Sequence, residues 1–252
     1  MIPARLEWQV AKVIDIRTET PRARTIVLDV PAWPGHCAGQ HVDVRLVAED
    51  GYRAERSYSI ASASASAPES SRVELTVERL EDGEVSPYLC DMLRAGDGLE
   101  VRGPIGGYFV WTTMQAGPLF LVAGGSGIVP LMAMLRHRAG ADATTRATVP
   151  VRLLYSARTW ADVIYREELE KLTADTTASI AFTLTREQTS QAPHFHRRVD
   201  RAMLAETVWP AADMPNVFVC GPTPFTESVA SLLVELGHAP AKVRTERFGP
   251  TG

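Results

Sequence analysis

The sequence predicts two domains in series: an antiparallel β-barrel carrying one helix, then a five-stranded, doubly wound parallel α/β domain. Three observations carry this expectation. Up to residue 112, short apolar runs alternate with polar residues and are separated by turn residues, which is antiparallel β writing. From residue 113 onward, continuous Val, Ile, Leu and Phe runs alternate with amphipathic helical stretches, the pattern of a parallel sheet covered on both faces. The chain has 252 residues, 45% of them hydrophobic and 22% charged, which is enough for two ordinary domains.

In the first half the predicted strands are Trp8 to Ile16, Thr25 to Val30, His41 to Val47, a strand carrying Arg56-Ser57-Tyr58-Ser59, Arg72 to Leu80 and Gly98 to Arg102. The helix is Ser86 to Arg94, with Ser86 as N-cap, Pro87 at the first helical position and Gly96 just beyond the end. In the second half strands and helices alternate. They are Leu119 to Ala123 and Ile128 to Arg138, Val151 to Tyr155 and Ala161 to Leu172, Ser179 to Thr185 and Arg197 to Thr207, Asn216 to Cys220 and Phe225 to Leu236, with Val243 to Phe248 last. The short join from Trp111 to Pro118 predicts close packing and a cleft between the domains.

Several classes are excluded. A net charge of −4 does not suit a nucleic-acid-coating chain. Cys37, Cys90 and Cys220 are too scattered for an iron–sulfur loop or a structural zinc site, and an odd number of unpaired thiols suits the cytoplasm. Residues Met1 to Arg17 show no apolar core of a secretory signal. Gly117 to Leu135 is 19 residues without a charge, yet Gly124-Gly125-Ser126-Gly127 interrupts it, so no membrane span is expected.

Two segments carry chemistry. The Gly-rich turn Gly124 to Gly127, between a strand and the helix opening at Ile128, lets a backbone approach a diphosphate under free helix N–H groups; tight packing alone would also ask for such glycines. Its spacing is not G-x-G-x-x-G, and no acidic residue follows the second strand at the ribose position. Arg56-Ser57-Tyr58-Ser59 offers a phosphate-binding guanidinium, a stacking ring and hydroxyls, or simply a strand with a solvated Arg.

Together with Gly83-Glu84-Val85-Ser86-Pro87-Tyr88-Leu89, Gly103-Pro104-Ile105-Gly106-Gly107-Tyr108-Phe109 and Cys220-Gly221-Pro222, these segments occur in the order found in the ferredoxin–NADP reductase superfamily, which the whole chain resembles. The resemblance implies a flavin domain over 1–112 and a nucleotide domain over 113–252. It implies that Arg56 binds the flavin phosphate within the strand that also holds Ser57, that Tyr58 packs on the isoalloxazine and that the Ser59 hydroxyl meets flavin N5. Gly83, Val85 and Ser86 would receive a pyrophosphate, which favours FAD over FMN. Gly124, Gly125, Ser126, Gly127 and Ile128 would underlie a pyridine dinucleotide, with Cys220, Gly221 and Pro222 near the reacting ring. As a residue, Cys220 also reads as a small buried hydrophobe.

Thr185-Arg186-Glu187-Gln188 is similar to the Ser-Arg-Glu-Gln of plant-type reductases that grips a 2′-phosphate, and Arg158 adds to it, so the resemblance implies NADP(H) ahead of NAD(H). Phe195, flanked by His194 and His196, is a loose match to an adenine-stacking aromatic. Glu246 and Phe248 fit the Glu-x-Tyr ending of plant-type reductases, as proton relay and flavin cover, although four residues follow here; Glu246 could equally pair with Arg244 or Arg247. The implied activity is hydride transfer from NADPH to FAD, with Ser59, Cys220 and Glu246 at the reacting centre. Single electrons then pass to a separate carrier such as a ferredoxin, serving an oxygenase or cytochrome P450. A flavin reductase releasing free reduced flavin, and a non-enzymatic redox-sensing subunit, are the alternatives.

Overall fold

The computed structural model describes residues 6–64, 71–188 and 195–249. Six antiparallel strands come first: β1 (Gln9–Thr20), β2 (Ala23–Asp29), β3 (His41–Val47), β4 (Arg53–Ser59), β5 (Arg72–Glu78) and β6 (Gly98–Ile105). Their order is β4-β3-β6-β1-β2-β5, and a bridge between Ile60 and Leu75 brings the two ends of that order together, closing the sheet into a barrel. The inward residues Val13, Ile26, Leu28, Val42, Val44, Val73, Leu75, Leu99 and Val101 fill it, as the two-residue period of a strand requires.

Five parallel strands follow: β7 (Leu119–Gly124), β8 (Val151–Ala157), β9 (Ala178–Leu184), β10 (Asn216–Pro222) and β11 (Val243–Phe248), ordered β11-β10-β7-β8-β9. The chain winds outward from β7 first through β8 and β9, then through β10 and β11. The order therefore reverses between β7 and β10, and a crevice opens at the carboxyl ends of those two strands. The helices are α1 (Ile128–Ala139), α2 (Ala143–Thr148), α3 (Arg166–Leu172), α4 (Arg201–Thr207) and α5 (Thr223–Glu235). One face of the sheet packs under α4 and α5 through Met203, Leu204, Val229 and Leu233.

The other face packs on α1, which is buried from Ile128 through Leu135. That core continues into the barrel domain through Ala38, Ala61, Phe109 and Trp111. The long uncharged stretch in the sequence is thus a fully buried strand followed by a fully buried helix, and no helix among the described residues is long and apolar enough to cross a membrane.

Local chemistry moves some boundaries. Helix α3 starts at Arg166 rather than Ala161, because Thr159 and Asp162 close a capping box around a short 3₁₀ turn and Tyr165 takes a left-handed conformation at φ 60°. Helix α4 starts at Arg201 rather than Arg197, because the Asp200 carboxylate accepts from Met203 N at 2.8 Å while pairing with Arg197 at 2.6 Å. Helix α2, absent from the expectation, has no apolar periodicity and is capped by Asp142. The barrel's helix ends in a π turn at Tyr88–Met92, and Ser86 is not its cap: its hydroxyl accepts from Leu80 N at 3.0 Å.

Candidate active site

The barrel contributes β4 and the turn that precedes the π turn. Arg56 Nη2 lies 2.5 Å from Glu84 Oε2, and Tyr52 donates its hydroxyl to the other oxygen of Glu84 at 2.8 Å. The R-S-Y-S strand and the G-E-V-S turn therefore face each other, with a carboxylate already seated where an anion would meet the guanidinium. Gly83 keeps that turn tight: a Cβ there would stand 2.7 Å from Ser86 Oγ. Val85 is buried in the barrel core, as is most of the Tyr58 ring, whose hydroxyl pKa burial raises. Ser57 turns elsewhere and donates to Asp43 at 2.7 Å.

The sheet contributes the crevice between β7 and β10. Gly124 ends β7, and Gly125 to Gly127 form a 3₁₀ turn into α1, with Gly125 at φ 55°. A Cβ on Gly127 would stand 2.2 Å from the Cys220 carbonyl oxygen, and one on Gly124 would stand 2.8 Å from the ring of Phe225. A Cβ on Gly221 would likewise meet that ring, at 2.7 Å. This close-set backbone cradle leaves room for a ligand's phosphates where side chains would otherwise stand. The Thr223 hydroxyl on the first residue of α5, immediately after Pro222, is buried without a hydrogen-bond partner. The residues present therefore fit a flavin diphosphate on the barrel side and a dinucleotide on the sheet side.

The two halves meet at Glu246. Parallel pairing sets Glu246 of β11 opposite Cys220 of β10 and Phe248 opposite Pro222. The Ser59 side chain, from the end of β4, lies close enough to the Glu246 carboxyl to favour its charged form. Burial raises the carboxyl's pKa to about 7, against the opposing pull of Ser59. Neither neighbouring arginine claims Glu246: Arg244 donates to the Val110 carbonyl at 3.0 Å, and Arg247 lies 3.7 Å from Glu227. The fold brings Ser59, Cys220 and Glu246 together from three strands. Burial, then Glu246, pushes the Cys220 thiol well above its ordinary range, so it packs as a neutral group. Phe248 ends β11 at 37% exposure, and the last three residues of the chain lie outside the described ones.

At the ends of β8 and β9, Thr185 N donates to Ala157 O at 3.0 Å and Arg186 N to Arg158 O at 2.9 Å. Arg158, Thr185 and Arg186 thus share one exposed edge beside the crevice. Glu187 turns back to accept from Trp160 N at 2.6 Å. Phe195 is corrected: it is buried in the core with Met203 and Leu204 and is not available for stacking, while His194 lies outside the described residues. Phe225 carried no signal in the sequence beyond its place five residues after Cys220, because its contact with the two glycines is made through the fold.

A closed antiparallel barrel joined to a doubly wound sheet, with an anion seat on one and a glycine cradle on the other, defines a flavin- and nucleotide-binding class of protein. Residues 10–110 match the oxidoreductase FAD-binding domain and residues 121–231 the oxidoreductase NAD-binding domain. The chain belongs to the ferredoxin–NADP reductase-like superfamily. It is 35% identical to the glycine betaine monooxygenase reductase subunit of Chromohalobacter salexigens, over 95% of this chain and 64% of that one. It is 31% identical to the ferredoxin reductase component of 3-ketosteroid-9-alpha-monooxygenase from Mycobacterium tuberculosis, over 96% and 65%. The chain thus spans less than two thirds of the length of these relatives. The FAD/NAD-binding domain of the Vibrio cholerae nitric oxide dioxygenase shares its fold, with a TM-score of 0.82 at 24% identity over 96% of this chain and 99% of that one.

Proposed function

We propose that the chain is an NADPH-dependent flavoprotein reductase working in the cytoplasm and passing single electrons to a separate acceptor, a ferredoxin that serves an oxygenase. In this reading residues 1–112 hold FAD and 113–252 hold NADPH. When bound, the flavin supplies the conversion of a two-electron hydride donor into single electrons. The protein's part is position and proton. Arg56 and the Gly83–Ser86 turn hold the flavin phosphates, and Tyr58 walls the ring. Gly124–Ile128 and Cys220–Pro222 seat the dinucleotide, with Arg158, Thr185 and Arg186 around the 2′-phosphate. Ser59 and Glu246 hold a proton at the flavin's reacting edge, and Phe248 covers its face.

The observation that carries this reading is the approach of Ser59 to Glu246. It brings the end of β4 up to β11, the strand beside Cys220, and the Glu246 pKa near 7 keeps a proton available at neutral pH. The relatives named as reductase components of oxygenases support the choice of acceptor. Anaerobic stopped-flow mixing of the FAD-loaded protein with NADPH is the test. Rapid bleaching of the flavin, slower with NADH and followed by reoxidation on adding a ferredoxin, is the expected result; a flavin that stays oxidised sinks the reading.

The half-exposed Arg56–Glu84 pair, which a flavin phosphate must displace, favours a second reading as a NAD(P)H:flavin reductase. That function predicts flavin lost on gel filtration and turnover with added riboflavin.

A further inference from the structure

Strand β5 presents Glu74, Thr76 and Glu78 at successive even positions toward the nucleotide half. The first two are occupied by it: Glu74 pairs with Arg136 of α1 at 3.1 Å, and Thr76 bonds the Tyr165 hydroxyl. Glu78 is different. Its carboxylate reaches the Gly-rich turn, with Oε2 at 3.9 Å from where a Cβ on Gly125 would stand, and it makes no hydrogen bond or ion pair with another described residue.

We propose that Glu78 is a dinucleotide-binding residue, accepting hydrogen bonds from the hydroxyls of the nicotinamide ribose across the domain cleft. This rests on the reading of the turn as the NADPH diphosphate seat. A ribose flanks each end of a diphosphate, and vicinal hydroxyls are the donors a carboxylate recognises in nucleotide folds. Of the two riboses in a 2′-phosphorylated dinucleotide, only the nicotinamide one keeps a free diol; the other bears an anion that a carboxylate repels. The acids of the sheet near the crevice are otherwise engaged: Glu246 lies opposite Cys220 beside Ser59. Glu187, after β9, is held by Trp160 N at 2.6 Å. The ribose acceptor is thus supplied by the flavin domain, so ribose recognition requires both halves to be in place.

The test uses the FAD-loaded protein and two half-molecules, reduced nicotinamide mononucleotide and 2′,5′-ADP, each titrated by calorimetry against wild type, Glu78→Ala and Glu78→Gln. Loss of a charged acceptor from a hydroxyl pair predicts about tenfold weaker mononucleotide binding in the Ala variant and a smaller loss in Gln. Binding of 2′,5′-ADP should be unchanged, which also reports that the variants are folded. Unchanged or tighter mononucleotide binding in Glu78→Ala overturns the assignment, since the carboxylate would then be a bystander or would merely repel the diphosphate. If wild type binds neither half-molecule, the NADPH reading itself falls and takes this assignment with it.

Discussion

At the scale of the residue, Glu246 sets the terms. Its carboxyl sits between the barrel and the end of the parallel sheet, where burial favours the neutral form and nearby Ser59 only partly offsets that preference. A carboxyl whose folded pKa lies above its unfolded one costs no stability while both states are protonated. The cost begins as pH passes the ordinary value of 4.5 and is complete above about 7. From that displacement the full cost is up to about 3 kcal/mol. Glu246→Gln keeps the shape and an acceptor oxygen for Ser59 but cannot ionise. Thermal melts of the flavin-free protein should therefore coincide for the two proteins below about pH 4. Well above neutral pH the variant should melt several degrees higher. Parallel melting curves across the whole range would mean that Glu246 is better solvated than its position indicates. The same substitution removes the proton proposed for the flavin edge, so the more stable variant should be the slower reductase.

At the scale of the element, the glycines of the crevice divide by what opposes them. The nearest atoms to a Cβ on Gly124 would be those of the Phe225 ring, at 2.8 Å, whereas one on Gly127 would meet the Cys220 carbonyl at 2.2 Å. A ring can be trimmed and a backbone cannot. Gly124→Ala should destabilise the protein by about 2 kcal/mol, and most of that should return when Phe225→Leu is added. Gly127→Ala should show no such recovery. Urea unfolding of the single and double variants measures both, and a Gly124–Phe225 coupling near zero would show that the ring is not what fixes the crevice floor. The glycines themselves were legible in the sequence because a strand, a Gly-rich turn and a helix follow one another locally. Strand β3 matches its expected bounds, His41–Val47, for the same reason: alternation reports burial directly. Phe225, Glu84 and Glu78 were not legible as parts of the site. Their partners lie in other elements, and apolar or charged periodicity names a face without naming what it meets. Helix α2 was missed because its stability comes from the Asp142 cap and not from an apolar stripe.

At the scale of the whole molecule, one guanidinium and one core hold the halves in register. Arg136 donates to Glu168 of α3 at 2.8 and 2.6 Å, to Glu74 of β5 at 3.1 Å and to the Ala61 carbonyl at 2.8 Å, with its guanidinium carbon 4.9 Å from the Tyr165 ring centroid. Only a planar group with several fixed donors can serve three elements at once. Beside it the apolar core runs without interruption from Phe109 and Trp111 into α1 and β7. These two devices fix the angle that sets Ser59 against Glu246 and Glu78 against Gly125. Arg136→Ala leaves Glu168 and Glu74 short of a partner, and the cost should be about 3 kcal/mol, or roughly 6–12 °C in Tm. Because the apolar core still crosses the boundary, the variant should unfold in a single calorimetric transition, as the wild type should. Two separated transitions in the variant would show instead that the polar bridge, and not the shared core, makes the barrel and the sheet one cooperative unit. In that case the alignment of the crevice would depend chiefly on Arg136, and dinucleotide affinity should fall with it.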